Sequence, residues 1–191
     1  MMVKKIHYCW FGGAEKSALI KKCIESWRKF FPDFEIIEWN ESNFDIERNI
    51  YTKQAYSAKK HAYVSDVARF AVLYEYGGLY FDTDVEVIKP FGKLLEDEAF
   101  SALETEKYIA PGLVMWCKEP HNKIAKEALD YYDKAHYLDQ NGNKLPGTVC
   151  SIFTDIMRKH GFYEGNDIKR LDGFTIYPID YFCPYDDATG K

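Results

Sequence analysis

The chain opens with an apolar, aromatic run, "KIHYCW", that stops at Gly12-Gly13, and this opening constrains the fold more than any other feature. A strand over 6–11 running into a glycine loop is predicted. Ile20, Cys23, Ile24, Trp27 and Phe31 then recur at helical spacing, with Ser17 placed to cap the helix and Pro32 to close it. "FEIIEW" follows as a second β-forming run. A strand, a crossover helix and a strand in that order predict a parallel β-α-β unit.

The same alternation continues. "AYSAKKHAYVSDVARFAVLYEYGG" carries apolar residues every three or four positions and predicts one long helix ended by Gly77-Gly78. "LYFDTDVEVI" predicts a strand, interrupted or turned near its aspartates and stopped by Pro90. Further β runs are predicted at 100–103 and 113–116, helices over 123–135 and 149–160, and a last β segment in "GFTIYPID". The expected fold class is α/β, with a mainly parallel sheet flanked by helices, in a single domain over 1–191. Ligands of such sheets sit at the carboxyl ends of strands, so the WFGG and DTD segments are expected to face one cleft.

A net charge of −5 gives no basic field for a nucleic acid backbone. The five cysteines, Cys9, Cys23, Cys117, Cys150 and Cys183, have no zinc spacing and read as reduced thiols. No apolar run approaches the roughly 20 residues of a membrane helix, and the N-terminal apolar run is too short and polar for a signal peptide. A soluble cytoplasmic protein is the expectation.

Asp82 and Asp84 stand one residue apart in "FDTDV". On an extended strand they share a face, and two carboxylates that close repel unless a cation or proton relieves them. Oxygen-only ligands at this spacing suit Mg²⁺ or Mn²⁺, with water and a diphosphate completing the shell. An acidic turn is the plain alternative. An aspartyl phosphatase motif fails because Glu86 stands where Thr or Val is needed, and an EF-hand loop fails because Val87 takes the glycine position. Asp66 and Arg69 lie three apart on one face of the preceding helix, as an ordinary ion pair or as a pair able to hold sugar hydroxyls or phosphate.

"SDVARFAVLYEYGGLYFDTDV" resembles the signature of glycosyltransferases with the DXD sugar-binding region, family thirty-two of the sequence-based scheme, and "KIHYCWFGG" resembles that family's first strand. The family includes yeast-type mannosyltransferases and bacterial capsular polysaccharide transferases, and more distantly resembles clostridial glucosylating toxins. The resemblance implies a GT-A fold, a Rossmann-like domain that binds a UDP- or GDP-linked sugar with Mn²⁺ or Mg²⁺. It implies that Trp10, with Phe11 and Gly12, lies against the base, and that Asn43 and Ser65 contact the donor. Asp66 and Arg69 would hold the sugar and Tyr80 approach it. Asp82 would meet hydroxyls and metal, and Asp84 bind the metal directly. Transfer with retention to a glycan or lipid-linked saccharide is implied, at the inner face of the membrane through the acceptor. The family's His-containing C-terminal stretch has no counterpart in "YFCPYDDATGK", so the chain is expected to lack the C-terminal segment of the full family domain. A non-catalytic nucleotide-sugar or glycan-binding module and a nucleotide-sugar hydrolase are the alternatives.

Overall fold

The computed structural model describes residues 2–183. Strand β1 (Lys5–Cys9) pairs in parallel with β2 (Glu35–Trp39), from Lys5 opposite Glu35 to Cys9 opposite Trp39. Between them helix α1 (Ala18–Phe30) starts where the Ser17 side chain accepts from the Ile20 N–H, one of the orphan donors of a first turn. It buries Cys23, Ile24 and Trp27 on the sheet, and the Trp27 indole N–H donates to the Val85 carbonyl at 2.8 Å. The predicted β-α-β opening is therefore present.

The expected long helix is two helices, α2 (Ile50–Ser57) and α3 (His61–Tyr76). Lys59 adopts φ 57° at the break, and the Lys60 N–H donates back to the Ala55 carbonyl at 2.9 Å. No glycine or proline marks residues 58–60, so periodicity alone runs through the corner. Helix α3 is buried from Asp66 to Leu73 and leads through Gly77 into β3 (Gly78–Tyr80), which joins β1 in parallel.

Beyond β3 the sheet departs from the mainly parallel expectation. Strands β4 (Ala99–Thr105), β5 (Tyr108–Ile109), β6 (Met115–Cys117), β7 (Lys169–Leu171) and β8 (Phe174–Tyr177) complete an order of β2-β1-β3-β6-β4-β8-β7, with β5 on β4. Strand β6 runs antiparallel to both neighbours, β8 is parallel to β4, and β7 is antiparallel to β8. The short return between β4 and β6 is the reason, because it is too short for the crossover a parallel pair needs. The sheet is mixed.

Helices α4 (Lys123–Tyr132), capped by Asn122, and α5 (Val149–Arg158), with a Thr148–Ser151 capping box, match the predicted positions. A short α6 (Ile179–Phe182) follows the last strand. One core, built on Phe70, Tyr132 and Phe153, fills the face under α3, α4 and α5. The other, built on Trp27, Phe81 and Phe100, fills the α1 face. The expectation about the chain's ending falls on residues outside 2–183.

Candidate functional site

Strand β3 ends at Tyr80, and the next residues turn. The Asp82 N–H donates to the Gly112 carbonyl at 2.7 Å, and the Val85 N–H closes back on the Asp82 carbonyl at 3.2 Å. Asp82 and Asp84 thus stand on a turn rather than sharing the face of an extended strand. Both still line one cleft of about 350 Å³ together with Trp10, Phe11, Ser65, Asp66 and Arg69. That is near the lower end of ordinary ligand pockets, roughly 300–1,000 Å³.

The two carboxylates have different surroundings. Asp82 accepts from the Arg69 guanidinium at 3.0 and 3.3 Å and from the Tyr80 hydroxyl at 2.9 Å. Gly112 leaves room for it, since a Cβ there would lie 1.9 Å from Asp82 Oδ2. Asp84 is exposed at the cleft and has no hydrogen-bond or ion-pair partner among the described residues.

Arg69 reaches this turn from inside α3 and is 2% exposed. Burial opposes its charge, but the carboxylates of Asp82 and Asp66 hold it cationic, well above the ordinary guanidinium value. Its Nη2 is 3.3 Å from Asp66 and 3.0 Å from Asp82, while Nε and Nη1 are buried with no partner among the described residues. Burial pushes the Asp66 carboxyl up to about 6 despite this ion pair. The opposition resolves because Arg69 lies closer to Asp82, whose negative charge raises Asp66 further.

The other wall is the loop after β1. Trp10 is half-buried, its indole N–H donates to the Ala14 carbonyl at 2.6 Å, and the Lys16 ammonium lies 5.5 Å from its ring centre. Phe11 packs edge-on against Phe44 at 5.7 Å. Gly12 has φ 88°, and a Cβ there would lie 2.2 Å from the His61 ring, so side chains are excluded on both counts. Ser65, one turn beyond His61, donates to its carbonyl at 3.3 Å. Cys9 also lines the cleft, but burial pushes its thiol up to about 12, which keeps it protonated and inert.

Of the residues expected at the donor, Trp10, Phe11, Ser65, Asp66, Arg69, Asp82 and Asp84 line this cleft, Gly12 adjoins it, and Tyr80 reaches it through Asp82. Asn43 is elsewhere. Its amide closes a turn, donating to the Glu38 carbonyl and accepting from the Asn40 N–H, both at 2.8 Å, and it borders a different groove with Trp39 and Arg48. His61 and Val149 also line the cleft, and Gly112 adjoins it at Asp82. His61 heads α3 one turn before Ser65, whereas Gly112 and Val149 come from segments distant in sequence that carry no local signal.

Among the described residues no group of three His, Cys, Asp or Glu side chains could hold a metal ion. The Asp82–Asp84 pair is an oxygen-only donor set with one carboxylate free. It fits a hard divalent ion that takes its other ligands from water and phosphate.

Residues 17–101 match the family model described as a glycosyltransferase sugar-binding region containing a DXD motif. The human alpha-1,4-N-acetylglucosaminyltransferase is 24% identical over 156 residues, which are 81% of this chain and 41% of that protein. An uncharacterised glycosyltransferase of Acanthamoeba polyphaga mimivirus is 26% identical over 204 residues, covering 97% of this chain and 78% of its own length. The PaToxG glycosyltransferase superposes with a TM-score of 0.60 at 20% identity, over 83% of this chain and 69% of that one, and shares the GT-A-like fold. Among the described residues no helix is long and apolar enough to cross a membrane.

Proposed function

We propose that this protein transfers a sugar from a UDP- or GDP-linked donor to a hydroxyl of a glycan or polysaccharide precursor, with Mn²⁺ or Mg²⁺ and with retention. The observation that carries this reading is the unpartnered Asp84 carboxylate on the same turn as Asp82, which Arg69 and Tyr80 already engage in part. Asp82 is anchored by the protein and Asp84 is free for a cation. Asp84, seconded by Asp82, would hold the ion, which when bound neutralises charge on the leaving diphosphate.

The chain's own residues account for the rest. The Trp10 face offers a platform to a base, and Gly12 allows backbone to approach the ligand closely. Arg69 orients Asp82 through its guanidinium and brings positive charge to the floor of the cleft. Asp66 and Ser65 face the cleft from α3 and suit sugar hydroxyls as partners. The acceptor oxygen bonds to the anomeric carbon as the bond from that carbon to the diphosphate oxygen breaks. The acceptor proton leaves with the diphosphate, so no strong protein nucleophile is required. A surface or capsular polysaccharide precursor is the acceptor class the motif resemblance favours, and the inner face of the cell membrane the place of work.

A thermal-shift screen of UDP- and GDP-sugars with Mn²⁺ identifies the donor. Sugar release is then compared with and without saccharide acceptors. Acceptor-dependent turnover supports transfer. Turnover that acceptors leave unchanged identifies a hydrolase.

A further inference from the structure

A second cavity, of about 280 Å³, lies between α2, the end of α4 and the loop that leads into α5. We propose that this cavity, walled by Tyr51, Tyr131 and His136, binds the acceptor saccharide; the assignment rests on the transferase reading above.

The lining carries the first argument. Tyr131 is 44% exposed, His136 is exposed, and Leu145 and Pro146 close the opposite side. Exposed rings beside aliphatic groups suit the C–H faces of a pyranose. No lysine, arginine or carboxylate lines the cavity, so it suits a neutral sugar better than a phosphate or an acidic peptide. Its size fits one ring rather than an extended chain.

The second argument is an unfilled hydroxyl. Tyr51 is 6% exposed and lines the cavity, yet its hydroxyl has no hydrogen-bond partner among the described residues. Just behind, the Tyr132 hydroxyl is buried and also without a partner. The Tyr51 hydroxyl is open to the cavity and available to a ligand there, while Tyr132, packed edge-on against the Tyr51 ring, does not line it.

Continuity with the donor cleft is the third. Val149 in the first turn of α5 lines the donor cleft, while Gly147 and Ile152 on either side of it line this cavity. Tyr51 and Tyr132 lie near enough to Asp66 to feel its charge. Lys144 ties the intervening wall, donating to the Leu145 and Gly147 carbonyls at 3.1 Å each with its ammonium 5.0 Å from the Tyr63 ring centre. A saccharide seated here would present a hydroxyl toward the donor sugar's side of the cleft.

Saturation-transfer NMR tests this with N-acetyllactosamine, methyl α-mannoside and methyl β-galactoside, each with UDP, GDP and Mn²⁺ present. Tyr131→Ala and His136→Ala change exposed side chains and should fold normally. At least one saccharide should be saturated by the wild type, with affinity about tenfold weaker in Tyr131→Ala and nucleotide binding unchanged. Nucleotide binding without any saccharide signal, or a saccharide signal that neither variant alters, overturns the proposal while sparing the donor reading. Saccharide binding without any nucleoside diphosphate binding refutes the acceptor role by removing the donor.

Discussion

Two polar clusters are buried in this fold, and they are completed differently. At His7, 0% exposed, the Trp39 indole N–H donates to Nδ1 at 3.1 Å, and Nε2–H then donates to the Gly77 carbonyl at 2.9 Å. Both ring nitrogens are used and one neutral tautomer is fixed. At Arg69, only Nη2 is engaged, by Asp66 and Asp82, while Nε, Nη1 and the nearby Tyr132 hydroxyl have no partner among the described residues. A polar cluster that the protein satisfies alone is architecture, and one left with spare donors beside a cleft is prepared for something else.

Arg69→Gln should have the largest effect on stability. It leaves Asp66 buried without a counter-charge and should cost about 3–5 kcal/mol at pH 7. Urea unfolding measures this, and the cost should shrink toward pH 5 as Asp66 takes up a proton. A loss as small as that of an exposed ion pair would mean that the two clusters do not differ in kind.

The titrations of the two clusters should oppose each other. Burial lowers His7 from 6.5 to about 4, so between those values the unfolded chain binds a proton that the folded one does not, and stability falls on acidification by about 3 kcal/mol. Burial raises Asp66 from 3.8 to about 6, so the folded chain binds the extra proton there, and stability falls as pH rises through that window by about 3 kcal/mol. In metal-free protein the two contributions nearly cancel. His7→Gln should unmask the Asp66 slope and Asp66→Asn the His7 slope, with opposite signs in unfolding measured from pH 4 to 7.

Gly112→Ala sets a Cβ against Asp82 Oδ2 and should cost about 1–3 kcal/mol. Nucleoside diphosphate binding should weaken more than stability does, because Asp82 is pushed from Arg69. Trp39→Phe removes the donor to His7 and part of the ring stacked on Tyr76, and should cost about 1–2 kcal/mol with nucleotide binding unchanged. A Trp39→Phe variant that lost nucleotide affinity would make the His7 cluster part of the site.

The sequence made the scaffold legible where local rules act alone. The Ser17 cap, the apolar spacing of α1 and the glycine loop after β1 need no distant partner. It misled where tertiary contacts overrule pattern, as at Lys59, whose left-handed backbone breaks a helix that composition would continue. Likewise "FDTDV" has strand-like alternation, yet Gly112, distant in sequence, accepts the Asp82 N–H and turns the chain. Asp66, Arg69, Asp82 and Asp84 were legible as a group through their spacing and a family resemblance. That Arg69 engages Asp82 and leaves Asp84 free depends on how α3 passes behind β3, which no local spacing encodes.

Asp84 is the carboxylate left free for a cation, and Asp82 is the one anchored by Arg69 and Tyr80. Calorimetric titration of UDP and GDP into the wild type and Asp84→Ala, each with and without Mn²⁺, tests it directly. The account predicts that Mn²⁺ tightens binding of one nucleotide to the wild type, and that Asp84→Ala loses that gain while keeping the wild-type melting temperature. Binding that ignores Mn²⁺ in the wild type, or an Asp84→Ala protein that keeps the full gain, would contradict it.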